Sequence, residues 1–62
     1  MNHGELKKKL KEIGCYKVSE GKKHERWHSP ITGEDFPVGR HNAKEVPSGT
    51  LKSILNSSGL KL

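Results

Sequence analysis

One cysteine, Cys15, constrains this chain more than any other feature. A single thiol makes no intrachain disulfide, so no covalent staple holds the fold. Yet the chain has only 62 residues, and a chain this short withdraws only about 60% of its unfolded surface from water. Stability must then come from a small core in which each apolar residue counts. A lone thiol suits a reducing compartment better than a secreted scaffold, which points to the cytoplasm. No apolar run exceeds two residues, against the roughly 20 that a membrane-spanning helix needs. No apolar stretch of the signal-peptide kind opens the chain. No membrane association is expected.

Charged residues make up 31% and apolar residues 29%, a balance at which disorder competes with folding. The spacing of the apolar residues decides for folding. Leu6, Leu10 and Ile13 fall at i, i+4 and i+7, which predicts a helix over 3–13. Asn2 is its N-cap candidate, and Gly14 ends it. Lys7, Lys8 and Lys11 point away from the apolar face, and Glu5 and Lys9 stand at i,i+4 in the favourable order. Residues 15–20 alternate, with Tyr16 and Val18 on one face, which predicts a half-buried strand. Glu20-Gly21-Lys22 forms a turn. A second strand follows over 23–29, with Trp27 facing the core and His24, Arg26 and His28 facing solvent or a ligand. Ser29 to Gly33 is a loop closing a second hairpin. Phe36 and Val38 mark a third, short strand, which Pro37 either restricts to a sheet edge or shortens because it has no N–H to donate.

Residues 39–46 form a polar connection, and a second helix is predicted over 48–58. Ser48 or Thr50 supplies its capping hydroxyl, and Gly59-Leu60 closes it in the manner of a Schellman motif. The expected fold is α+β in the order α-β-β-β-α, the order used by double-stranded-RNA-binding domains. Both helices pack on one face of a three-stranded antiparallel sheet, and the other face stays open. The core is Leu6, Leu10, Ile13, Tyr16, Val18, Trp27, Phe36, Val38, Leu51, Ile54 and Leu55. Residues 1–62 form a single domain without internal repeats.

Twelve Lys and Arg against seven Asp and Glu give a net charge of +5, which suits a polyanion. His24 is the first candidate for chemistry. An imidazole takes or gives a proton near neutral pH. Lys22, Lys23 and Arg26 beside it would hold a phosphate and oppose developing negative charge. RNA carries its own nucleophile, the 2′-hydroxyl, which DNA lacks. A base that removes its proton lets that oxygen attack the adjacent phosphorus without a metal. The bland alternative is a solvated surface histidine. His28 lies four residues on, and four strand residues span roughly 13 Å, too far for one ion to bridge. His3, Cys15 and His41 show no compact ligand spacing either. Neither a metal nor a cofactor is expected. Arg40, His41 and Lys44 make the loop before the second helix basic, and that helix's free N–H groups favour an anion there. Lys7, Lys8, Lys9 and Lys11 offer a further basic face of low specificity.

Four stretches together resemble the HicA family of small bacterial toxins. They are the opening helix with Leu6, Leu10, Ile13 and Gly14; Gly21-Lys22-Lys23-His24 followed by Trp27; Phe36-Pro37-Val38 with Arg40-His41; and Glu45 to Leu51 with Ser53-Ile54-Leu55 and Gly59-Leu60. Many members carry Gly-Ser-His where this chain has two lysines between Gly21 and His24. The resemblance implies a double-stranded-RNA-binding-like fold and an mRNA interferase, the toxin of a type II toxin–antitoxin pair active in stress responses. It implies one important histidine, His24 here, and a HicB-type antitoxin that shields the site. On this reading His24 is the general acid or base, and Lys22, Lys23, Arg26, Arg40 and Lys44 contact RNA. The free toxin would be a monomer that forms a hetero-oligomer with its antitoxin. Two alternatives stand beside it: a non-catalytic RNA-binding module using the same basic surface, and a small interaction protein whose positive charge serves an acidic partner.

Overall fold

A computed structural model describes residues 1–62. Helix α1 spans His3–Glu12. Asn2 caps it, its side-chain oxygen accepting from the Glu5 N–H at 2.8 Å. At the other end Gly14 adopts φ 93°, a left-handed conformation that favours glycine. The Gly14 N–H then reaches the Lys11 carbonyl at 3.0 Å and the Cys15 N–H reaches that of Leu10 at 2.9 Å. This is the Schellman pair of bonds, and Cys15 and Leu10 are both buried beside it.

Strands β1 (Tyr16–Glu20), β2 (His24–His28) and β3 (Asp35–Gly39) form an antiparallel sheet in the order β1-β2-β3. Strand β3 is an edge, so Pro37 pairs with Arg26 without costing the sheet an inner hydrogen bond. Helix α2 spans Ser48–Ser58. The whole is the expected α-β-β-β-α order. Trp27, Phe36 and Val38 share the sheet face that meets Leu6 and Leu10 of α1 and Ile54 of α2 in one cluster. Cys15, Val46 and Leu60 complete its buried set, while Ile13, Leu51 and Leu55 pack partly buried against it.

The sheet corrects the expected core at two positions. Tyr16 is 54% and Val18 52% exposed. The expected half-buried strand is instead exposed at all five of its residues, and Cys15, just before it, is the residue that turns inward. Tyr16 stands opposite His28 on the open face, its ring centroid 5.5 Å from the imidazole's. The register then shifts, with Lys17 opposite Trp27 and Ser19 opposite Arg26. Val18 is the extra residue of this bulge and faces no partner.

The ends of α2 also differ from expectation. Pro47 precedes the helix and no side chain caps it. Gly59 closes it at φ 79° with a single bond from its N–H to the Leu55 carbonyl, the simpler αL ending. The Leu60 N–H turns to the Ser58 hydroxyl at 3.2 Å instead. Leu60 still folds back into the core.

A third correction concerns Lys7, which lies in the interior rather than on the outer face of α1. Its Nζ sits 3.1 Å from Glu25 Oε1 and donates to Asn42 Oδ1 at 2.7 Å. Trp27 Nε1 donates to the same Glu25 oxygen at 3.0 Å. The Lys7 and Glu25 side chains are only 11% and 12% exposed, so this pair ties α1 to β2 under partial desolvation. Glu5 and Lys9 form no ion pair.

Candidate functional site

His24 opens β2, and the turn before it is held from two sides. The Gly21 N–H donates to the His24 carbonyl at 2.8 Å. A Cβ on Gly21 would come within 3.0 Å of that same oxygen, so glycine lets the turn close. From the end of β3, the Arg40 guanidinium donates to the Lys22 carbonyl at 3.0 Å. His24 is thereby fixed at the backbone while its ring stays exposed on the open sheet face.

The ring stands between two depressions. One, of about 420 Å³, lies where β2 and β3 end against the 40–47 loop. His3, Lys23, His24, Arg40, His41 and Lys44 line it, with Pro37 and Gly39 along the sheet and Pro47 and Thr50 at the start of α2. Its one carboxylate, Glu45, is held by the N-terminal ammonium of Met1. The uncapped N-terminus of α2 opens on the same side, where its N–H groups favour an anion. The other depression, of about 390 Å³, runs along the open face past Ser19, Arg26 and Asp35.

Of the five residues expected to contact RNA, Lys23, Arg40 and Lys44 therefore share the cleft with His24. Arg26 lies in the second depression, where its Nε pairs with Asp35 Oδ2 at 3.0 Å. His28 Nδ1 donates to the other Asp35 oxygen at 2.6 Å. The hydrogen bond from His28 is the chief cause, and the Arg26 charge a further one, that hold the Asp35 carboxyl below its ordinary range. Much of the Arg26 charge is thus answered within the fold. Lys22 is exposed in the turn and lines neither depression.

The chain matches the family model described as HicA toxin of bacterial toxin-antitoxin over residues 4–60. It belongs to the HicA toxin family. Neither a curated protein nor a solved structure matches it. Membership assigns a toxin role and implies an antitoxin partner. The matched span includes His24 and the basic loop, and the α+β fold agrees with the expectation drawn from the sequence. No group of three or more His, Cys, Asp or Glu side chains converges as a metal site would require. No helix is long and apolar enough to cross a membrane.

Sequence reasoning missed His3 as a member of the site. It lies 21 positions before His24 in the chain and carries no motif. The path of α1 against the 40–47 loop brings it in. The Asn2–Glu45 bridge and the bond from the His3 N–H to the Lys44 carbonyl at 3.0 Å anchor that meeting.

Proposed function

We propose that this HicA-family toxin is an endoribonuclease that cleaves mRNA, with the His24 imidazole moving a proton at the reacting phosphate. The observation that carries the reading is an exposed imidazole lining a cleft with three cationic side chains, Lys23, Arg40 and Lys44. Those cations would hold the phosphate and oppose charge that builds on its oxygens during attack. The 2′-hydroxyl supplies the nucleophile from within the substrate, which restricts the reaction to RNA. General acid–base catalysis of this kind contributes about 10²–10⁴-fold. A HicB-type antitoxin would inhibit the toxin by covering the same basic cleft, and an acidic surface on that partner would complement the net charge of +5.

The test pairs a synthetic RNA with the DNA of the same sequence, both in a metal chelator. The toxin is expected to cut the RNA and spare the DNA. His24→Ala is expected to lose about 10²–10⁴-fold in rate and to relieve growth arrest, while melting as the parent does. RNA bound but left whole would replace the enzyme by a binding module. Cleavage that stops in chelator would require a metal.

A further inference from the structure

Strand pairing sets Gly39 opposite His24, so a side chain at either position projects from the same face of the sheet. Gly39 has none, and the His3 ring occupies that space. A Cβ on Gly39 would fall 2.6 Å from His3 Nε2 and 2.8 Å from its Cδ2. Directly opposed residues hold their Cβ atoms about 5 Å apart, which puts His3 Nε2 within roughly 8 Å of the His24 Cβ. Both rings line the 420 Å³ cleft.

The His3 ring is held in one orientation and one tautomer. Its Nδ1 lies 2.7 Å from the Lys44 carbonyl oxygen. A carbonyl only accepts, so Nδ1 carries the proton, and in the neutral ring Nε2 presents a lone pair. The residue as a whole is only 9% exposed. Nε2 has no hydrogen-bond partner within the fold and is not fully buried, and the residue lines the cleft. A buried ring, tied at one nitrogen and open at the other, is how an oriented base is built.

We propose that His3 is the second proton-transfer group of the site, acting with His24 across the β2–β3 pair; this rests on the ribonuclease reading above. His3 Nε2 accepts the proton of the 2′-hydroxyl as that oxygen forms a bond to phosphorus. His24, as the imidazolium, gives its proton to the departing 5′-oxygen as the phosphorus–oxygen bond breaks. The products are a 2′,3′-cyclic phosphate and a free 5′-hydroxyl. The two rings exchange protonation states, and solvent resets them. Lys23, Arg40 and Lys44 hold the phosphate, and His41 and Glu45 are the remaining titratable groups of the cleft.

His3→Asn tests this, because the asparagine amide sits where Nδ1 does and still donates to Lys44, while Nε2 is lost. Cleavage of ordinary RNA should fall at least about 10²-fold with melting unchanged. A substrate with sulfur in place of the bridging 5′-oxygen separates the roles, since a thiolate leaves without a proton. His24→Ala should recover on that substrate and His3→Asn should not. Should His3→Asn melt early, ¹⁵N spectra of the unmutated toxin serve instead. An RNA made uncleavable by a methylene in place of the bridging 5′-oxygen keeps its 2′-hydroxyl and should shift the His3 Nε2 resonance, and an unmoved signal overturns the proposal. His3→Asn cutting at full rate while His24→Ala is inactive overturns this inference alone, as does recovery of His3→Asn on the sulfur substrate. An unmutated toxin that leaves RNA whole, or a His24→Ala variant at full rate, defeats the ribonuclease reading and this inference with it.

Discussion

Gly39 stands directly opposite His24 in the β2–β3 ladder, and the room left by its missing side chain is filled by the ring of His3. Three separate parts of the chain meet there: the first residue of α1, the start of β2 and the end of β3. The contact leaves no space for a methyl group.

Gly39→Ala should therefore push the His3 ring out of the cleft. A Cβ at 2.6 Å from Nε2 is far inside contact distance, and the ring is tied to Lys44 and has little freedom to retreat. The overpacking should cost about 1–3 kcal/mol. RNA cleavage should fall with it, although no charged group has been removed. Thermal melting and a cleavage assay on the same sample check both effects.

The Lys7–Glu25 pair should make the fold sensitive to acid. Burial works against the Glu25 carboxylate, but hydrogen bonds from Trp27 and Lys7 outweigh it and hold its pKa below the ordinary 4.5. The unfolded chain then binds the proton more readily than the folded one. This contribution is fully present above about pH 5 and is lost as pH falls through 4.5 toward the folded-state value. Lys7→Met leaves the carboxylate without its cation and should cost about 1.5–3 kcal/mol at neutral pH, the range for a hydrogen bond to a charged group. It should also flatten the loss of stability between pH 5 and pH 3, because the Glu25 pKa rises. Urea melts across that range at fixed ionic strength give both numbers.

Removing charge from the cleft should change the salt dependence of RNA binding more than the fold. Lys23 and Lys44 are exposed and form no ion pair within the chain. For a single strand, each phosphate contact contributes about 0.7 to the slope of log affinity against log salt. Lys23→Gln and Lys44→Gln should each lower the slope by that amount, with melting temperature unchanged, on a 2′-O-methyl RNA that cannot be cut. Arg40→Gln should differ from both, because its guanidinium also holds the Lys22 carbonyl and so the turn before His24.

The buried Ser29 hydroxyl should matter more than its size suggests. It donates to the Ser58 carbonyl at 2.6 Å and accepts from the Ile31 N–H at 3.2 Å, which joins the β2–β3 loop to the end of α2. Ser29→Ala leaves the buried Ser58 carbonyl without this donor and should cost about 1–3 kcal/mol. In a chain this small that lowers the melting temperature by roughly 5 °C per kcal/mol. Calorimetry on the variant checks it.

Element order was legible because short-range rules govern it. The i, i+4, i+7 spacing of Leu6, Leu10 and Ile13, the caps at Asn2 and Gly14, and the isolation of Trp27 among His24, Arg26 and His28 depend only on near neighbours. Pro37, lacking an N–H, left β3 either at an edge or shortened, and the sheet order places it at the edge. That His24 faces outward was legible for the same reason: alternation around one large apolar ring tells inside from outside.

What only the tertiary structure decided is which surface each element meets. Tyr16 and Val18 look like core residues by their alternation, yet the helices pack against β3 and leave every residue of β1 exposed. Lys7 reads as one solvated lysine among several until Glu25 and Asn42 converge on its ammonium. His3 joins the cleft because a glycine on a distant strand leaves room for its ring. Sequence periodicity reports the direction in which a side chain leaves its own backbone. Contacts between residues far apart in the chain arise only once the segments have packed, when burial forces each polar group to find a partner in whatever element lies above it.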